Sequence, residues 1–156
     1  MRYKNLLWFR RMKFRLLVSA FVLIAVIGPD PSFAEMPLVQ AKAIGAYLSA
    51  ADVMSKLTTS RCGYIFKKKI PSLDSKIVEV QRTLKGNDLK EFNLYTSSTD
   101  FKAKMLENQE FIDGYLLNIK KDGIDDKTAC GLLVGFFSPL AVKAEKDWRE
   151  VSNQSK

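Results

Sequence analysis

The sequence predicts an all-α protein: a small single-domain bundle of four to five helices with one disulfide, preceded by a signal peptide. Three observations support this prediction. Apolar residues recur at helical spacing in several segments, and no series of alternating apolar and polar residues indicates strands. The chain contains two cysteines. Its first residues have the composition of an export signal.

The N-terminal segment combines basic residues, an apolar run at residues 16–27 and small residues before a cleavage position. We predict a signal peptide at residues 1–34, cleaved after Ala34, and a mature domain at residues 35–156. A true start at Met12 would give a signal of more ordinary length. The expected location is therefore periplasmic or secreted.

The net charge of +8 on the whole chain comes largely from this signal. Six of the 25 basic residues and one of the 17 acidic residues precede Glu35, which leaves a charge of +3 on the mature domain. Nucleic-acid-binding domains usually carry a larger and clustered positive charge. We therefore expect no nucleic-acid partner.

The two cysteines, Cys62 and Cys130, lie far apart in a chain that we expect to be exported. Disulfides persist in oxidising compartments, so an even cysteine count favours a bridge between them. Closing a loop of this length stabilises a domain by about 4 kcal/mol in the chain-entropy account. We predict a Cys62–Cys130 disulfide, and the alternative is two buried free thiols.

The first predicted helix follows Pro37 and extends from Leu38 to about Leu57. Its apolar residues recur at helical spacing among many alanines, glycines and serines, so another helix could approach it closely. Ser60 could cap a short second helix, or the first helix could continue with a bend.

The middle of the chain predicts two more helices. Ser72 is a favourable N-cap for a helix that Gly86 would end in the C′ position. A short turn is expected at residues 87–92, and residues 95–98 are expected to form a linker. The longest helix is predicted at residues 100–121, with Ser98 or Thr99 as its cap.

Asn108 falls within the apolar stripe of this longest helix. A buried amide needs hydrogen-bond partners. Asn108 therefore either fixes the register between two helices or helps to line a small pocket, and we favour the first interpretation.

The segment at residues 129–142 carries no charge. It is shorter than the roughly 20 apolar residues of a membrane span, so we expect a central helix that its neighbours cover on every side. Gly131 and Gly135 are expected to let another helix pack closely against it. Pro139 is expected to kink or break the helix. Short connections between all these helices favour an up-and-down bundle.

Arg61 and the consecutive Lys67, Lys68 and Lys69 form a local basic patch. The ordinary interpretation is a solvated helix end, where cations interact favourably with the helix dipole. The alternative is contact with an anionic surface or partner, and these four residues are then the predicted binding patch.

Residues that carry out chemistry are scarce. The chain contains no histidine, which removes the commonest general base and the usual zinc ligand. No phosphate-binding glycine motif occurs. The acidic cluster at residues 122–126 lacks the ligand pattern of a calcium-binding EF-hand. We predict no catalytic residue, no metal site and no cofactor.

These exclusions leave a protein that works by binding. We expect an exported, non-catalytic protein of the bacterial envelope, and most specifically an inhibitor or immunity-type protein that binds another protein. The alternatives are a periplasmic chaperone, a carrier of a small apolar ligand, or a structural subunit of an envelope complex. We expect no stable membrane insertion after signal cleavage, and the sequence leaves a homo-oligomer open.

Overall fold

The computed structural model describes residues 36–154. It contains the helices α1 (Leu38–Thr59), α2 (Leu73–Gln81), α3 (Gly86–Ser97), α4 (Thr99–Lys121) and α5 (Asp126–Gln154), with a 3₁₀ helix at Gly63–Ile65. These residues include no strand. The prediction of an all-α bundle of four to five helices is confirmed. The predicted signal peptide at residues 1–34 lies outside the described part of the chain.

Cys62 and Cys130 form the predicted disulfide, with an S–S distance of 2.00 Å and a Cα–Cα distance of 5.2 Å. Both side chains are fully buried. The bond joins the turn after α1 to the first turns of α5. Near the other ends of these helices, the rings of Tyr47 and Trp148 stack with their centroids 4.5 Å apart. The two helices are therefore antiparallel.

The helix α4 runs in the same direction as α1. Phe101, near the start of α4, belongs to the core cluster that contains Met36. Ile119, near the end of α4, belongs to the cluster around the disulfide. The chain returns from the end of α1 through the 3₁₀ helix, an irregular segment at residues 66–72 and α2. The order is therefore not the strict up-and-down arrangement that short connections favour.

The central helix is α1. It contacts α2, α4, α5 and the 3₁₀ helix, and no residue between positions 43 and 58 is exposed. Its small side chains let several neighbours approach at once. The expectation that the uncharged segment at residues 129–142 occupies the centre is wrong.

The helix α5 instead buries one face and leaves the other in solvent. Gly131 and Gly135 lie on the outer face, where Val142 is 70% exposed. A Cβ atom built on either glycine meets no other atom within 4 Å. The expected close packing of another helix on these glycines therefore does not occur within the described chain. Glycine has no apolar side chain to hide, so exposing this face has a small hydrophobic cost.

Pro139 does not break α5, which is continuous from Asp126 to Gln154. Because proline has no N–H group, the carbonyl of Gly135 loses its usual helical donor. Of the helices within residues 36–154, one, at Asp126–Asn153, is long and apolar enough to cross a membrane by length and composition alone. Core helices of soluble proteins pass the same test, and 28% of the most apolar part of this helix is buried.

Side-chain caps set the ends of several helices. Ser72 and Ser98 accept hydrogen bonds from backbone N–H groups in the first turns of α2 and α4, at 3.3 and 3.1 Å. The carboxylate of Asp125 accepts hydrogen bonds from the backbone N–H and the hydroxyl of Thr128, at 3.0 and 2.7 Å. These bonds lower the pKa of Asp125.

The middle of the chain differs from the prediction at two points. The helix α2 ends at Gln81 rather than near Gly86, which has a φ of 56° and begins α3. The expected linker at residues 95–98 largely belongs to α3. Tyr95 is buried and packs edge-on against Phe101, with ring centroids 5.2 Å apart. The hydroxyl of Thr96 bonds to a carbonyl one turn earlier, which satisfies this polar group within the helix.

Candidate functional site

The end of the molecule around the disulfide carries the net positive charge of the folded domain. We call this the basic end and define it as residues 56–70 and 113–130. Its eight basic residues are Lys56, Arg61, Lys67, Lys68, Lys69, Lys120, Lys121 and Lys127, against the acidic Asp113, Asp122, Asp125 and Asp126. The rest of residues 36–154 carries ten basic and eleven acidic residues. The positive excess of the described chain therefore lies entirely at one end.

All four residues of the predicted binding patch lie at this end. Lys67, Lys68 and Lys69 are exposed, and the flanking Phe66 and Ile70 pack against the core cluster around the disulfide. The three lysines are therefore held on the surface by apolar contacts on both sides.

Arg61 is anchored differently. Its guanidinium forms an ion pair of 3.0 Å with Asp126 in the first turn of α5. Both side chains are substantially exposed, so this pair contributes little to stability. It holds the guanidinium against the first turn of α5.

A cleft of about 510 Å³ opens between the end of α1 and the second half of α4. Its lining residues are Lys56, Thr59, Ser60, Arg61, Gln109, Asp113, Leu116, Leu117 and Lys120. Three of these are cations and one is a carboxylate. The cleft is open to solvent and gives the basic end a concave surface, and the exposed Lys67, Lys68 and Lys69 are not part of its lining.

A buried polar network lies beside this cleft. Asn108, which is 2% exposed, donates a hydrogen bond of 2.9 Å from its Nδ2 to Oδ2 of Asp52. The Nζ of Lys56 lies 2.5 Å from the same oxygen and also donates to the backbone carbonyl of Met105. The network joins α1 to α4, which agrees with the register role favoured for Asn108.

The charges in the cleft are therefore not equivalent. Lys56 is held against Asp52, and Arg61 shares its charge with Asp126. Lys120 has no ion pair with any carboxylate in residues 36–154. Asp113 accepts a hydrogen bond of 3.0 Å from the side chain of Gln109.

The sequence singles out Arg61 and the lysine triplet as a candidate patch, but it does not indicate the residues of α4 that line the cleft. Asp113, Leu117 and Lys120 lie three or four positions apart, which places them on one face of a helix. That spacing can be recognised in the sequence. The sequence alone does not show that α4 runs parallel to α1 and brings this face to the end of α1.

A second polar cluster lies near the opposite ends of α1 and α5. The hydroxyl of Tyr47 donates to Glu79 at 2.9 Å, and Arg149 pairs with Glu79 at 3.0 Å while its guanidinium lies 5.4 Å from the ring of Trp148. Burial raises the pKa of Tyr47 to about 12, with a smaller contribution from the Glu79 carboxylate. This cluster joins α1, α2 and α5, and its contacts are those of a structural junction.

Metal-ligating groups are few in the described chain. Within residues 36–154, no three Cys, Asp or Glu side chains are grouped as metal ligands. Both cysteines are used in the disulfide.

Comparison with protein-family models, with curated proteins and with solved structures finds no match to this chain.

Proposed function

We propose that this chain is an exported, non-catalytic binding protein of the bacterial envelope that uses its basic end to hold an acidic surface of another protein. The most specific form of the proposal is an inhibitor or immunity-type protein. The observation that carries it is the concentration of the positive excess at one end of an otherwise nearly neutral domain. Such a charge distribution speeds and orients association with an oppositely charged partner.

The proposed location is the periplasm or the extracellular space. The disulfide is compatible with an oxidising compartment, and the composition of residues 1–34 fits an export signal. Mass spectrometry of the protein from the envelope fraction tests this location. A species that begins at Glu35 supports it, and a species that retains residues 16–27 contradicts it.

The exposed lysines suit a protein surface. Lys67, Lys68 and Lys69 are free of carboxylates in the described chain, so a partner need not displace an internal ion pair to reach them. Their charges act over about 10 Å at moderate ionic strength. The expected complex is therefore sensitive to salt.

Site-specific photo-crosslinking in an envelope extract tests the proposal. A photoreactive residue at position 68 is compared with one at position 85, since Lys85 is also exposed but lies between α2 and α3. We expect one stoichiometric crosslinked protein from position 68 and none from position 85.

A pair of charge variants provides the control. With the photoreactive residue at position 64, where Tyr64 is exposed, the triple variant K67Q/K68Q/K69Q should abolish the crosslink. R82Q/K85Q/K90Q, which removes the same charge elsewhere, should leave it unchanged. Equal crosslinking in both variants would show that the basic end does not select the partner.

One observation favours a second candidate, an envelope chaperone or a carrier of a small apolar ligand. The outer face of α5 leaves Val142 70% exposed and presents Gly131, Gly135 and Pro139 without charge. A chaperone should suppress the aggregation of several unrelated unfolded proteins, and V142D should weaken this. A carrier should retain lipid that native mass spectrometry detects.

A further inference from the structure

The cleft at the basic end combines an apolar wall with cations. Leu116 is buried at its base, and Leu117 is 53% exposed. Lys120 follows on the same face of α4, and Arg61 contributes from the turn after α1. A ligand that fills the cleft therefore meets an exposed leucine, the two cations and one carboxylate, Asp113, which already accepts a hydrogen bond from Gln109.

The hydroxyl groups in the cleft are already used. Thr59 Oγ1 donates to the carbonyl of Lys56 at 3.1 Å, and Ser60 Oγ donates to the carbonyl of Leu57 at 2.8 Å. Recognition of an anion therefore falls to the charged side chains. Lys56 is held by the buried carboxylate of Asp52, whereas the Arg61–Asp126 pair is exposed and contributes little to stability, so Arg61 can exchange its partner. Arg61 and Lys120 are therefore the cations of the cleft that can bind an anion.

The concave shape of the cleft and its combination of leucine and cations distinguish among possible anionic ligands. A small inorganic anion would use the cations and leave the exposed leucine uncovered. A flat bilayer surface would fit a concave cleft poorly. A polypeptide with carboxylates on either side of an apolar residue matches both features.

We infer that this cleft receives an acidic segment of the protein partner, with its carboxylates on Arg61 and Lys120 and an apolar side chain on Leu117. This inference rests on the proposed function and specifies the chemistry of the partner. The segment supplies the carboxylates that Lys120 lacks within the described chain, and it covers a leucine that water now contacts.

The test uses the mature domain, residues 35–156, and three synthetic peptides followed by ¹H–¹⁵N NMR. The first peptide alternates glutamate and leucine, the second glutamate and glycine, and the third lysine and leucine. We expect saturable shifts at Arg61, Leu117 and Lys120 with the first peptide, about tenfold weaker binding with the second, and none with the third.

Variants identify the surface that binds. R61Q/K120Q and L117S should each weaken binding of the glutamate–leucine peptide by about tenfold, and K85Q/K90Q should leave it unchanged. The thermal midpoint of each variant is measured alongside, and L117S removes no charge, so loss of folding and loss of binding are distinguishable. Absence of saturable binding, or shifts confined to other surfaces, would overturn the inference.

The same variants distinguish failure of this inference from failure of the proposed function. If the captured envelope protein loses binding in K67Q/K68Q/K69Q but not in R61Q/K120Q or L117S, the cleft is not its site and the proposed function stands. If the triplet variant also binds normally, both fail. Shifts produced by phosphatidylglycerol vesicles but not by the glutamate–leucine peptide would assign the cleft to a lipid surface and overturn the inference.

Discussion

At the scale of single residues, Asn108 shows how one amide positions two helices. It is nearly fully buried, and its hydrogen bond to Asp52 crosses between α4 and α1. We expect N108L to lower the free energy of unfolding by about 2 kcal/mol, because the buried Asp52 loses one of its two donors and keeps only Lys56. Urea titration followed by circular dichroism measures the change.

A double-mutant cycle identifies the cause. If the bond between the two side chains carries the effect, N108L should cost much less in a D52L background than alone, because no buried carboxylate is then present to lose the Asn108 donor. Equal costs in both backgrounds would mean that leucine simply fits poorly at this position.

Tyr47 gives the folded domain a dependence on alkaline pH. Burial raises its pKa from 10.0 to about 12. Between these values the unfolded tyrosine releases its proton while the folded one keeps it. The stabilising contribution is therefore complete below pH 10 and is lost as the pH rises towards about 12.

The Y47F variant should lose this part of the pH dependence. Melting temperatures measured between pH 9 and pH 11.5 should fall less steeply in Y47F than in the unmodified protein. Y64F serves as the control, because Tyr64 is exposed. An equal slope in Y47F would show that another group controls alkaline stability.

At the scale of elements, substitutions of glycine by alanine distinguish the effect of helix propensity from the effect of packing. A Cβ atom on Gly131 or Gly135 meets nothing within 4 Å, but one on Gly63 would lie 2.4 Å from the carbonyl oxygen of Thr58. We expect G131A and G135A to raise the free energy of unfolding by up to about 1 kcal/mol each. G63A should lower it, because backbone atoms would have to move.

Chemical denaturation of the three variants measures these changes. Destabilisation by G135A in a monomeric sample would mean that the outer face of α5 does contact another part of the chain. Stabilisation that is accompanied by loss of partner binding would instead place the glycine face in an intermolecular interface.

Helical periodicity, caps and cysteines were sufficient to predict the class of fold, the disulfide and most of the helices. The sequence pattern predicts α5 at the centre of the bundle, but α1 occupies that position. The apolar run of α5 has the stronger hydrophobic signal, but much of its outer surface belongs to glycine and proline, which can face water. The small residues of α1 contribute little to such a signal, yet they allow four neighbouring elements to surround it.

At the scale of the whole molecule, two core clusters lie along α1. One contains Trp148 and the first half of α1, and the other contains the disulfide and its second half. Because a single continuous helix belongs to both, we expect the clusters to unfold together. Trp148 is the sole tryptophan after residue 34, so its fluorescence reports on the first cluster alone.

The urea transitions followed by Trp148 fluorescence and by far-ultraviolet circular dichroism should therefore coincide. The variant L48A, in the first cluster, should shift both curves by the same amount. A fluorescence transition that precedes the circular dichroism transition would show that the two clusters are separate cooperative units.

The proposed binding surface also combines residues that are close in sequence with residues that only the fold brings together. Arg61 and the lysine triplet are adjacent in sequence, and the basic patch could be recognised there. The cleft brings Arg61 together with Lys120 because α1 and α4 are parallel, an arrangement set by the route of the chain between the helices and accompanied by the buried Asp52–Asn108 contact. Neither follows from local periodicity.

The covalent link between Cys62 and Cys130 has a consequence for association. It fastens the turn that carries Arg61 to the helix that carries Asp126, so both sides of that ion pair are fixed before any partner arrives. A loop that is already ordered loses little conformational freedom in a complex. In the proposed complex more of the contact energy would then remain as affinity, and dissociation would be correspondingly slow.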